Sequence, residues 1–146
     1  MPPRTITITP LPDTLAYETH IKHATGKTVL ACYWPEDKTS RLLITALTKR
    51  LPDFAALGVV GVYTLDVYSL PKIAEELDVT FVPTLMWFND CVQDALVWHD
   101  GVRIEGEKVS GGVQRIISRI AEAGLADDDD EAWDGMGGIY HGVGSS

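Results

Sequence analysis

Apolar positions along the chain fall into short continuous runs separated by stretches with helical spacing. Residues 5–9 alternate threonine with isoleucine, the period-two pattern of a half-buried strand, and Pro10 and Pro12 stop it. Asp13 suits the cap of a helix that carries Leu15 and Ile21 and ends near Gly26. Residues 28–34 form an unbroken run, Val-Leu-Ala-Cys-Tyr-Trp after Thr28, as expected of a central strand buried on both faces. Pro35, Glu36 and Asp37 open a second helix with Leu43, Ala46, Leu47 and Leu51 at helical spacing, and Pro52 is expected to break or bend it. Residues 59–67 give another buried strand, and 71–77 a short helix with proline at its start. Residues 80–91, Thr-Phe-Val-Pro-Thr-Leu-Met-Trp-Phe-Asn-Asp-Cys, read as a buried strand that begins at Pro83, because proline has no N–H for a ladder and sits at a strand's first residue or on an edge. A turn at Asn89 and Asp90 leads to a partner strand around 95–98, and 100–110 reads as an irregular connection. Val113, Ile116, Ile117 and Ile120 then fall at i, i+3, i+4 and i+7 of a final helix that Gly124 ends.

The order is β-α-β-α-β-α-β-β-α, an α/β chain with a mixed sheet of about five strands and helices on both faces. Its 146 residues fit one domain, assigned to 1–124, followed by a tail at 125–146. The formal net charge of −9 is unevenly placed. From Leu125 onward there are six acids and no Lys or Arg; the other 15 of the 21 acids face 12 bases, so the body carries only −3. No basic face invites nucleic acid, and no apolar run approaches the ~20 residues that span a bilayer. The N-terminal stretch lacks the continuous apolar core of a signal peptide, which makes the cytosol or nucleus the expected compartment.

Asp66-Val67, Pro71, Ile73-Ala74, Val79 and Val82-Pro83-Thr84 together resemble the thioredoxin family, in which Val-Asp-Val-x-x-x-Pro-x-Ile-Ala leads without a gap to Ile/Val-Pro-Thr. The resemblance covers roughly 5–123. It implies the thioredoxin fold, a cis peptide bond at Val82-Pro83, and an exposed backbone before Pro83 that holds substrate peptides.

Measured against that family, the redox chemistry is missing. Redox members carry Trp-Cys-x-x-Cys at the start of the second helix, where the helix N-terminus favours a thiolate. Aligning on Trp34 puts the four motif positions at Lys38, Thr39, Ser40 and Arg41, with Asp37 where the tryptophan stands. The family's buried Asp, opposite a Lys on the next strand, is matched by Cys32 and Thr64. Without a thiol to serve, such a carboxylate would only cost desolvation energy, on the order of several kcal/mol. Of the two cysteines, Cys32 reads as a small core hydrophobe. Cys91 falls in an exposed turn with no basic neighbour. His20 and His23 share a metal-compatible spacing, but with no further ligand close in sequence they read as solvated side chains. Ser40 supports the helix's first turn rather than a hydrolase, since nothing orients His99 as a base.

What remains is the peptide groove. The resemblance implies that Trp34, Asp37, Lys38, Val82, Pro83, Thr84 and the segment 99–101 line it, with Val82 offering backbone bonds to an extended peptide. The tail is acidic, then glycine-rich, and too poor in apolar residues to pack alone, so it is expected to be disordered when free. Trp133, Met136, Ile139 and Tyr140 within it resemble a docking motif for a basic partner groove, for the chain's own body or for a second copy. The expected function is a non-catalytic protein-binding or assembly module with no cofactor, metal, nucleic-acid or membrane partner. The competing readings are a residual thiol-dependent redox or chaperone-like enzyme using Cys91, and a fixed subunit of a larger complex.

Overall fold

The strand at Lys27–Tyr33 (β2) is the middle of the sheet and the reason the rest assembles around it. Its alternate side chains enter two different cores, as the two-residue period of a strand requires. Val29 and Ala31 face one core; Leu30 and Cys32 face the other; all four are fully buried. The computed structural model describes residues 5–97 and 108–135. Within them the order is β1 (Ile8–Pro10), α1 (Thr14–Tyr17, continuing as a π-helical turn over Glu18–Lys22), β2, α2 (Lys38–Ala56), β3 (Val59–Asp66), α3 (Pro71–Glu76), β4 (Thr84–Asn89), β5 (Val92–Val97) and α4 (Val109–Gly135).

The sheet runs β1-β3-β2-β4-β5. β3 is parallel to both β1 and β2, whereas β4 is antiparallel to β2 and to β5, so the five-stranded sheet is mixed as the element order implied. On one face α2 and α4 cover it: Leu43, Leu47, Phe54, Val113, Ile116 and Ile120 pack on Val29, Val62, Leu85 and Trp87. On the other, Tyr17 and Ile21 of the first helical segment and Ile73 and Ala74 of α3 pack on Leu30, Cys32, Leu65, Met86 and Phe88. Helices lie on both faces.

Five local features differ from the sequence reading. β1 spans Ile8–Pro10 rather than 5–9. It is an edge strand pairing only with β3, so Pro10 can belong to it beside Thr64. Leu15 is 69 % exposed, because the π turn shifts the inward face to Tyr17 and Ile21. The His23 N–H reaches back five residues to the Glu18 carbonyl at 2.9 Å. Pro52 does not end α2, which runs on to Ala56. A proline inside a helix costs about 3 kcal/mol, an amount that full burial of Phe54 two residues later can largely offset. The hairpin turn centres on Asp90 and Cys91, with Asn89 and Val92 as its closing pair, so β5 starts three residues before 95.

The fifth difference lies in α4, which passes Gly124 and continues to Gly135. Glycine stops a helix efficiently when it turns left-handed, and Gly124 does not; elsewhere it costs only about 1 kcal/mol against alanine. Residues 98–107 and 136–146 lie outside the described residues, and with them Trp98, the segment 99–101, Met136, Ile139 and Tyr140.

Candidate functional site

β2 and β3 end side by side, with Tyr33 paired to Asp66 and the Val67 N–H bonded to the Tyr33 carbonyl at 3.0 Å. Residues just past the two strands are therefore neighbours. Such crevices beyond the C-terminal ends of strands are where open α/β sheets bind ligands. Asp66 folds the chain after β3 into a tight turn: its carboxylate accepts from the Tyr68 N–H at 2.9 Å and from the Ser69 hydroxyl at 3.1 Å. The turn holds Tyr68 out in solvent, 69 % exposed, edge-on to Trp34 with ring centroids 5.1 Å apart. Trp34, 36 % exposed, is the other half of this aromatic surface.

The start of α2 is built by two side chains. Asp37 caps it, accepting from the Ser40 N–H at 2.8 Å. Ser40 is fully buried, and its Oγ accepts from the Trp34 N–H at 3.3 Å. Arg41 folds back on the preceding loop, donating from Nη1 to the Pro35 carbonyl at 3.1 Å. Lys38 and Thr39 are exposed. None of these four side chains is a thiol.

Across from this helix start, Cys32 pairs with Thr84, which brings the segment before β4 to the same end of the sheet. The Val82–Pro83 peptide bond is cis. Pro83 and Thr84 are buried, and the Thr84 hydroxyl donates to the Phe81 carbonyl at 2.9 Å. Val82 is half-buried, and among the described residues no backbone hydrogen bond engages it. Beside it an open hollow of about 480 Å³ runs between α3 and the segment before Pro83, with Val67, Tyr68, Pro71, Val79 and Phe81 among its walls. Asp78, at φ +59°, closes α3 with a left-handed residue, and the Val79 N–H bonded to the Ala74 carbonyl at 2.9 Å aims the chain along the hollow.

The cysteines stand apart from this arrangement and from each other. Cys32 is sealed in the sheet, and burial pushes its thiol up from 9.0 to about 12. Cys91 is exposed in the β4–β5 turn at the other end of β4, about 20 Å from Pro83 at the ordinary rise of a strand. Both are free. Cys32 does not face Thr64 as the family's Asp–Lys pair would: the register sets Cys32 beside Leu65 and Thr64 beside Ala31, one residue out of step. His20 stacks on Tyr63 at 5.1 Å, and among the described residues no three His, Cys, Asp or Glu side chains gather as a metal site.

Solved structures match this arrangement closely enough to decide the fold. A thioredoxin from Malassezia sympodialis superposes with a TM-score of 0.63 over 82 % of this chain and 94 % of its own, at 15 % identity. The chain has the thioredoxin fold. Mitochondrial thioredoxin 3 from Saccharomyces cerevisiae, in its oxidized form, matches with a TM-score of 0.54 at 27 % identity, over 62 % of this chain and 81 % of that one. A mutant thioredoxin from Halobacterium salinarum gives 0.58 at 16 % identity, over 77 % and 90 %. No family model and no curated protein sequence matches.

Of the residues singled out from the sequence, the thioredoxin fold brings Trp34, Asp37, Lys38, Val82, Pro83 and Thr84 to one end of the sheet. It gives Asp37 and Thr84 inward structural tasks, leaving Trp34 and Val82 to form surface. Tyr68 was not singled out. Its signal was a large aromatic within an Asp-x-x-Ser turn before Pro71, a place where packing alone does not call for one. Trp133 falls in the last turns of α4. No described helix is long and apolar enough to cross a membrane.

Proposed function

We propose that this protein is a redox-inactive thioredoxin-fold module that binds an extended segment of a partner protein at the end of the sheet around Val82. The observation that carries this reading is the exposed Trp34–Tyr68 pair beside an unengaged Val82 backbone and an open hollow. Two large aromatic rings held in water by a turn and a cap favour contact with another surface. An extended peptide would pair with Val82 by strand addition and lay one apolar side chain into the hollow.

Two features support the loss of thiol exchange. The helix-start positions are Lys38, Thr39, Ser40 and Arg41, with Ser40 used to anchor the loop. The cysteines that remain are a buried one and one at the far end of β4. The proposal is tested by selecting a displayed library of linear peptides on the full chain and measuring the winners against Trp34→Ala and Tyr68→Ala. Each substitution is expected to weaken binding about tenfold or more, the usual loss for an aromatic anchor. Selected peptides that bind both variants as well as the wild type would place the interaction elsewhere.

A further inference from the structure

A second concavity lies in the seam where α2 meets the first turn of α4. It is a groove of about 520 Å³ with Leu42, Ala46 and Val109 among its apolar walls and three bases, Lys49, Arg50 and Lys108, at its rim. Leu42 is 50 % exposed there, a large aliphatic side chain left in water on an otherwise polar helix face. Arg50 holds Asp53 through Nε at 2.6 Å, so one carboxylate already shows what the rim takes. The N-terminal end of the 27-residue α4 opens into the same groove, and the positive end of its dipole adds to the field of the three side chains. The site therefore suits an acidic segment that also carries an apolar side chain.

The chain contains one such segment. Residues 127–131 are Asp-Asp-Asp-Asp-Glu, followed by Trp133 and Asp134, and no Lys or Arg occurs from 125 to the end. This segment is part of α4 itself, and its distance from the groove decides which copy it serves. At 1.5 Å per residue, Asp127 and Trp133 lie about 27 and 36 Å along the helix from Val109. An intact α4 carries its own acids away from its own groove. Two α4 helices laid antiparallel bring the acidic end of each to the first turn of the other, and the two-fold axis satisfies both grooves at once.

We propose that the groove between α2 and the start of α4 is the docking site for the acidic end of α4, residues 127–134, from a second copy of this chain, giving a reciprocal dimer. The test uses the full chain in sedimentation equilibrium from micromolar to several hundred micromolar concentration, at low and high salt. The expected result is a reversible dimer whose dissociation constant rises tenfold or more between ~0.05 and ~0.5 M salt, as screening shortens the reach of the charges. The double variant Lys49→Glu, Lys108→Glu and the variant with Asp127, Asp128, Asp129 and Asp130 all changed to Lys should each be monomeric alone. Mixed, they should form a heterodimer, since each groove then meets a segment of opposite net charge. A wild type that stays monomeric throughout the range overturns the proposal. So does a dimer that survives both charge reversals, which would use another surface. A concentration-independent loss of groove accessibility that the Asp127–Asp130 variant abolishes would instead assign the acids to their own groove through a break in α4.

Discussion

Replacing Cys32 by alanine should change the protein's stability in opposite directions at neutral and alkaline pH. At pH 7 the thiol is a neutral, fully buried side chain packed among Leu30, Leu65 and Met86. Removing its sulfur leaves a void the size of one heavy atom, at a cost of about 1 kcal/mol. The native pKa of about 12 lies above the unfolded value of 9.0, so the buried thiol's contribution is fully present below pH 9 and is lost as pH rises toward 12. In that window the unfolded chain releases a proton that the folded chain keeps. The loss is about 1.4 kcal/mol per pH unit, or roughly 3 kcal/mol by pH 11. Cys32→Ala escapes this loss, so it should be the less stable protein at pH 7, equal near pH 10 and the more stable at pH 11. Burial also raises Tyr17, with the Glu76 carboxylate adding to the shift, and raises Tyr63, but both rings remain in the variant and contribute nearly equally to the two curves. Urea melts followed by tryptophan fluorescence at pH 7, 9, 10 and 11 read the difference directly. A gap that stays constant from pH 7 to 11 would mean that the thiol meets solvent or a charge partner, and the argument for an inert Cys32 would fail.

Asp37→Ala should lower stability by about 1 kcal/mol in urea melts, while Asp37→Asn keeps most of it, because the side chain's measurable task is to accept the Ser40 N–H. Cys91→Gly should raise stability by about 0.5 kcal/mol, since Asp90 and Cys91 sit at φ 52° and 65° in a two-residue hairpin whose second position favours glycine; a loss on substitution would show that the thiol side chain packs. Gly124→Ala should raise the melting temperature and the helical circular dichroism by an amount corresponding to about 0.5–1 kcal/mol, because a Cβ there meets nothing and the backbone is helical. A drop would place the end of α4 at Gly124.

The central strands were legible in the sequence because burial on both faces leaves an unbroken apolar run, as in 28–34, and because Pro83 punctuates β4. The edges were less so. β1 has a partner on one side only, so alternation of threonine and isoleucine sets its register weakly, and the ladder with β3 starts it three residues later and ends it one later. The first helix misled through Leu15 because a π turn breaks the 3.6-residue period on which the inward face was read. At the candidate site, local signals gave the Pro83 turn; they put Pro35, Glu36 and Asp37 in the first turn of α2, whereas the helix begins at Lys38 with Asp37 as its cap. The Trp34–Tyr68 contact depends on the register of β2 with β3, where pairing Tyr33 with Asp66 makes neighbours of residues more than thirty apart. No single stretch encodes that pairing. The same holds for the groove between α2 and α4, whose three bases come from α2 and from the residue just before α4, far apart in the chain.

The claim on which the account rests is that this thioredoxin fold no longer exchanges disulfides, and dithiothreitol-driven reduction of insulin by the full chain measures it. The account predicts a rate equal to dithiothreitol alone, unchanged in Cys91→Ser. A rate approaching that of a Cys-x-x-Cys thioredoxin, lost in Cys91→Ser or Cys32→Ala, would contradict it.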